Sequence, residues 1–177
     1  MPTCVAFLRA INLGATRKFP KDDLRRVTEE AGFDDVATYI NTGNVRLTTR
    51  MRSTDKVATT LEYAYAADRG FAVPTVVLTL PELAQVAADA EEIGAGHEGT
   101  RYVSLLRTEP TPEAVAALEA LSGDGETVAV RGRGAHLLVG DQAHTARLSN
   151  ATVEKRLGVV ATNRNVNVVR TLAQRWG

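Results

Sequence analysis

Val5-Ala6-Phe7-Leu8-Arg9 and Val103-Ser104-Leu105-Leu106-Arg107 are two short apolar runs, each closed by an arginine, in opposite halves of a 177-residue chain. Valine, leucine and arginine recur in register, and both runs read as half-buried strands. A helix-period segment and a hairpin follow each of them. That shared order points to an internal duplication.

Around the first run, residues 3–10 read as a strand and 11–20 as a polar, glycine-containing loop. Lys21-Asp22-Asp23-Leu24 opens a helix, with acids in its first turn and Leu24, Val27 and Ala31 at helical spacing. Gly32 is a natural stop. Strands over 36–41 and 44–49 flank the tight turn Thr42-Gly43. A helix over 54–68, with Val57, Leu61 and Ala64 on one face, and a strand over 71–79 complete the unit. This order, βαββαβ, is the split βαβ or ferredoxin-like plan.

A short helix from Pro81, striped with Leu83, Val86, Ala87 and Ala90, leads to an acidic link over 91–99. Around the second run the expected elements are a strand over 101–107, a helix over 112–121, and a hairpin. Its strands, 126–131 and 135–139, meet around Gly132 and Gly134. Beyond Asp141 a helix runs to Leu157 and stops at Gly158. Thr162-Asn163-Arg164-Asn165 opens a last helix carrying Val166, Val169 and Leu172. These two helices stand where a closing strand would be. The expected fold is therefore α+β, with two ferredoxin-like (split βαβ) subdomains in tandem, the second incomplete, and C-terminal helices. Its expected divisions are 1–80, a connecting helix and acidic linker over 81–99, and 100–177.

Composition narrows the function classes. The chain is 44% hydrophobic and 24% charged, as a folded globule is. Lys+Arg and Asp+Glu both number 21, so no global charge draws in DNA or an anionic membrane. Locally the balance differs. Residues 82–126 hold ten acids against Arg101 and Arg107, whereas 145–177 hold six basic residues against Glu154. Two readings stand: complementary faces that pack or solvate, or a basic surface for a ligand. The single Cys4 excludes an intrachain disulfide and any multi-cysteine metal site, and its apolar strand suits a buried free thiol. The start shows no basic leader before an apolar run, and no stretch approaches the roughly 20 apolar residues of a membrane span. The expected location is the cytoplasm.

Three groups of motifs resemble a known family. Phe7-Leu8-Arg9-Ala10-Ile11-Asn12-Leu13-Gly14 and Tyr39-Ile40-Asn41-Thr42-Gly43-Asn44-Val45 are similar to its N-terminal and hairpin signatures. Arg147-Leu148-Ser149-Asn150, Glu154-Lys155-Arg156-Leu157-Gly158 and Ala161-Thr162-Asn163-Arg164-Asn165 resemble its C-terminal one. The family is the mainly bacterial domain of unknown function 1697. The resemblance spans essentially the whole chain and implies a duplicated ferredoxin-like α+β fold, but no reaction. In that family a glycine usually stands at Ala10, a lysine at Arg147 and a tryptophan at Val166. A guanidinium keeps its proton near neutrality, so Arg147 suits charge anchoring better than acid–base or covalent chemistry.

Nine residues form the candidate ligand site. Arg9, Asn12 and Gly14 lie where the first strand enters a loop longer than its counterpart in the second half. There Arg9 either pairs with a carboxylate or contacts an anion, with Arg17 and Lys18 nearby. Asn12 and Gly14 either shape the loop or support that contact. Asn44 ends a hairpin turn, and its amide is also placed to meet a polar ligand. Arg147, Ser149 and Asn150, like Arg164 and Asn165, precede helices. They are helix caps, or they form a phosphate or carboxylate site at two helix N-termini beside arginines.

Other constellations are missing from the sequence. His97, His136 and His144 are scattered, and only Asp141 and His144 are close, so no metal site is expected. There is no G-x-S-x-G elbow, Cys–His arrangement, Walker A or G-x-G-x-x-G pattern, so neither a reaction nor a cofactor is assigned. Asn44-Val45-Arg46-Leu47-Thr48 carries no stacking ring, and aromatics are 5% of the chain, which argues against base stacking on RNA. The leading expectation is binding of a small anionic or phosphorylated ligand. Two alternatives stay open: a non-catalytic nucleic-acid binder gripping phosphates, and a homodimeric scaffold whose basic tail docks on a partner's acidic stretch.

Overall fold

A computed structural model describes residues 1–141 and 146–177. Its elements run in one order twice. In the first pass these are β1 (Thr3–Leu8), α1 (Lys21–Glu30), β2 (Asp34–Tyr39), β3 (Asn44–Thr48), α2 (Thr54–Arg69), β4 (Thr75–Thr79) and α3 (Leu80–Ile93). In the second they are β5 (Thr100–Leu106), α4 (Pro112–Glu119), β6 (Thr127–Arg131), β7 (Gly134–Val139), α5 (Asn150–Leu157), β8 (Ala161–Asn165) and α6 (Val166–Trp176). The strands make two four-stranded antiparallel sheets of equivalent order, β2-β3-β1-β4 and β6-β7-β5-β8. The tandem ferredoxin-like architecture is thus observed.

One part of the expected fold needs correcting. The second half is complete, because Ala161–Asn165 is a strand that pairs antiparallel with β5, from Tyr102↔Asn165 to Leu106↔Ala161. Ala-Thr-Asn-Arg-Asn carries no apolar alternation, so its side chains do not announce a strand. Backbone pairing to a central strand holds it instead. A second correction concerns the acidic link, because α3 continues through Glu91 and Glu92 to Ile93.

Contacts divide the chain into two compact units, Met1–Leu80 and Pro81–Gly177. In the first, one sheet face (Cys4, Ala6, Leu8, Val45, Leu47, Val77) packs on Leu24, Val27, Val57, Leu61 and Tyr65 of its helices. Ser53 caps α2 by accepting the Lys56 N–H, and Gly70 ends it in the left-handed conformation. In the second, Leu106, Ala135, Leu137 and Ala161 pack on Leu118, Val153 and Leu157. Thr111 caps α4 ahead of Pro112, and Ser149 caps α5.

The opposite sheet faces also correspond. The cross-strand row Ala37–Arg46–Val5–Leu78 of the first sheet matches Ala129–His136–Val103–Arg164 of the second. In each unit the closing strand runs straight into a helix, β4 into α3 and β8 into α6. The buried residues Leu83, Val86 and Ala90 of α3 fall at the same steps as Val169, Leu172 and Trp176 of α6. Among the described residues no helix is long and apolar enough to cross a membrane.

Candidate functional site

In the first unit the two N-terminal motifs interlock. Asn12 adopts φ 54° and donates its amide to the carbonyls of Phe19 (2.9 Å) and Asn41 (2.8 Å), while its Oδ1 accepts the Phe19 N–H at 2.7 Å. Both amide donors are therefore committed to closing the loop and tying it to the hairpin. Ile11 completes the lock. A Cβ at Gly43 would stand 2.8 Å from Leu8 Cβ and 2.9 Å from Ile11 Cδ1, and φ there is 79°, so glycine is required twice over. Asn44 is buried and donates to Tyr39 O (3.0 Å) and Thr42 Oγ1 (2.9 Å), which fixes the turn.

Arg9 is half-buried, and its backbone N–H donates to Pro74 O. Gly14 is exposed at the loop tip with φ 63°. Arg17 is held by the carbonyls of Ala10 and Ala72, each at 2.6 Å, and lies over the Phe71 ring. Asn12 and Asn44 thus hold the loop and the hairpin turn in shape.

In the second unit the C-terminal motifs separate. Arg147 stands 3.4 Å from Asp124 and 3.5 Å from Glu126, and its backbone N–H donates to Glu126 at 2.7 Å. Ser149 accepts the Thr152 N–H as the cap of α5. Asn150 donates to Glu154 (3.0 Å) and to Ala161 O (2.9 Å), the first residue of β8. Asn165 stands at the other end of that strand, where it accepts the Asn167 N–H and caps α6. About 13 Å of extended chain separates the two helix starts. The two helix starts thus stand at opposite ends of β8.

Arg164, between them, is buried in the sheet and donates to Thr162 Oγ1 (2.9 Å) and Asn163 O (2.8 Å). Desolvation lowers its pKa to about 10. Other charges of the basic segment also turn to the acidic one. Arg170 pairs with Glu91 at 2.6 Å, as Arg147 does with Glu126, so the pattern serves in part to join complementary surfaces of one unit.

A polar cleft of about 320 Å³ opens at the start of α6, lined by His97, Gly99, Thr100, Arg101, Asn165, Val166 and Asn167. Arg101 packs over Gly94 and donates to Ala90 O, near the carbonyl end of α3, at 3.4 Å. This contact uses one of its five N–H donors. His97 Nε2 lies 2.8 Å from Val139 O; a carbonyl only accepts, so Nε2 carries the proton. Gly99 lets the chain pass beneath, since a Cβ there would strike Val139 O.

Of the nine expected residues, only Asn165 lines this cleft. Arg101 and His97 are brought to Asn165 by strand register, Tyr102 pairing with Asn165, which sequence spacing does not encode. His144, paired in the sequence with Asp141, lies outside the described residues. Among the described residues no trio of His, Cys, Asp and Glu side chains lies close enough to hold a metal ion.

Residues 1–135, which contain both interlocked motifs together with β1, β3 and β5, match the family model described as "Protein of unknown function (DUF1697)". The chain belongs to the DUF1697 family. The C-terminal motifs of this DUF1697 protein follow the matched residues. Its structure is similar to that of the conserved bacterial protein SP0830 from Streptococcus pneumoniae, with a TM-score of 0.72 and 19% sequence identity. The likeness covers 98% of this chain and 97% of that one, so both halves of the fold are shared. No curated protein matches the chain.

Proposed function

We propose that this DUF1697 protein is a cytosolic binder of a small carboxylate- or phosphate-bearing ligand, received in the cleft at the start of α6. The carrying observation is the meeting of Arg101, His97 and Asn165 with the opening turn of an 11-residue helix. The first N–H groups of a helix lack intrahelical partners, and their dipoles favour negative charge. Asn165 takes up one of them, at Asn167, which leaves the neighbouring N–H groups to a ligand. Arg101 adds donors in a planar fork suited to carboxylate or phosphate. Cys4, a buried free thiol, agrees with a reducing compartment.

The test is thermal unfolding in rising inorganic phosphate or citrate, with sodium chloride at matched ionic strength. Saturable stabilisation by the polyvalent anions is expected, weakened at least tenfold in Arg101→Gln. Equal responses of both proteins to phosphate and chloride would refute the site.

A further inference from the structure

The strand-to-helix connection that opens each unit finishes the core in only one of them. In the first unit, residues 9–20 lead from β1 to α1 and bury Ile11 and Phe19 in the core. In the second, residues 107–111 lead from β5 to α4, and Arg-Thr-Glu-Pro-Thr offers no large apolar side chain. Val115 and Val130 pack against the second core there but stay partly exposed. With Pro110, Pro112 and Ala116 they line an open cleft of about 380 Å³.

The edge of β6 is not free for strand addition at this cleft. Glu119 accepts the Val130 N–H at 3.0 Å, and Ser122 accepts that of Val128 at 3.1 Å. An occupant therefore enters by its side chains. The charge it meets has one sign. Elsewhere in the acidic stretch, Glu82 faces Arg133, Asp89 and Glu92 face Arg131, Glu91 faces Arg170, and Asp124 and Glu126 face Arg147. Glu109, which lines the cleft, and Glu113, three residues before Ala116 on α4, are exposed and have no cationic partner among the described residues.

We propose that this cleft docks a peptide segment of a partner protein. The segment inserts a bulky aliphatic or aromatic side chain against Val115 and Val130 and sets a lysine or arginine beside Glu109 and Glu113. Burial of the exposed apolar surface supplies the attraction, and the unneutralised carboxylates select the sign of the segment. The first unit's own connection shows the kind of segment that fits, with Ile11 and Phe19 in the core and Arg17 and Lys18 beside them in sequence. This surface is independent of the cleft at α6 and takes the opposite charge.

Amide NMR of the full chain tests it, with a synthetic peptide of the sequence of residues 9–20 as the probe. A second peptide carries Ile11→Ser and Phe19→Ser, and a third carries Arg9→Glu, Arg17→Glu and Lys18→Glu. Saturable shifts at Val115, Ala116 and Val130 are expected with the first peptide, about tenfold weaker binding with the second, and none that saturates with the third. In the protein, Ala116→Arg stands at an exposed helix position, narrows the cleft and neutralises Glu113. It should weaken binding about tenfold with the thermal midpoint unchanged, and Glu109→Gln should weaken it about threefold. Absence of saturable shifts at the cleft, equal binding of the three peptides, or unchanged binding in Ala116→Arg would each overturn the proposal. So would cleft shifts that follow protein concentration alone, which would make a second copy of the chain the occupant.

Discussion

The hairpin end of each sheet is built from equivalent residues and finished in opposite ways. In the first unit the loop after β1 folds back, seats Ile11 on Gly43 and binds Asn41 through Asn12. In the second the connection after β5 does not cover the turn. Arg133, the counterpart of Gly43, extends instead to Glu82, and a cavity stands open beside it. The sheet rows diverge in the same sense. Val76 and Leu78 of the first sheet correspond to Thr162 and Arg164 of the second, and Arg46 corresponds to His136. Apolar contact toward the helices is kept in both units, because a ferredoxin-like sheet needs one buried face. The second unit buries polar groups on its other face and leaves clefts at both ends. A buried charge needs partners, and Arg164 has them there in Thr162 Oγ1 and Asn163 O.

If the helix-facing cores are equivalent, Leu8→Ala and Leu106→Ala should each destabilise the protein by about 3–4 kcal/mol in urea unfolding. A much smaller loss at one of them would break the equivalence. The divergent faces separate by pH. His136 titrates near 4 in the folded protein against 6.5 ordinarily, because burial penalises its charge; Asp89 opposes this and Arg131 adds to it. Above 6.5 the ring is neutral in both states and stability is complete. As pH falls from 6.5 toward 4 only the unfolded chain takes up the proton, so about 3 kcal/mol is lost, and the loss levels off below 4. Comparing pH-dependent stability with His136→Phe isolates this contribution, which the variant should lack.

The loop lock sharpens the comparison further. Asn12→Ala removes three hydrogen bonds and should cost about 2 kcal/mol, with faster amide exchange confined to residues 10–19 and the hairpin turn. The smallest effect is of opposite sign. Ala10 is exposed at φ 56°, where a Cβ is strained, so Ala10→Gly should raise stability by about 1 kcal/mol in the same assay. That strain explains why the family resemblance expects glycine there.

Much of this architecture was legible because hydrophobic periodicity and turn residues mark it. Val5–Arg9 against Val103–Arg107 revealed the repeat, and Asn-Thr-Gly-Asn marked the hairpin. β8 was hidden because its side chains are polar and its last residue, Asn165, is also a helix cap; pairing with β5 is a tertiary fact. The site was legible only at Asn165. Arg101 and His97 meet it through strand register, which sequence spacing does not encode. His136 alternates with Ala135 and Leu137, so it reads as facing away from the core, and only coordinates show that this face is buried.

The claim that recognition belongs to the second unit is tested most directly by backbone amide NMR of the full chain during a phosphate titration. The account predicts saturable shifts at Val166, Asn167 and Arg101, with the loop around Asn12 and Asn44 unmoved. Shifts centred on that loop, or none that saturate, would contradict it.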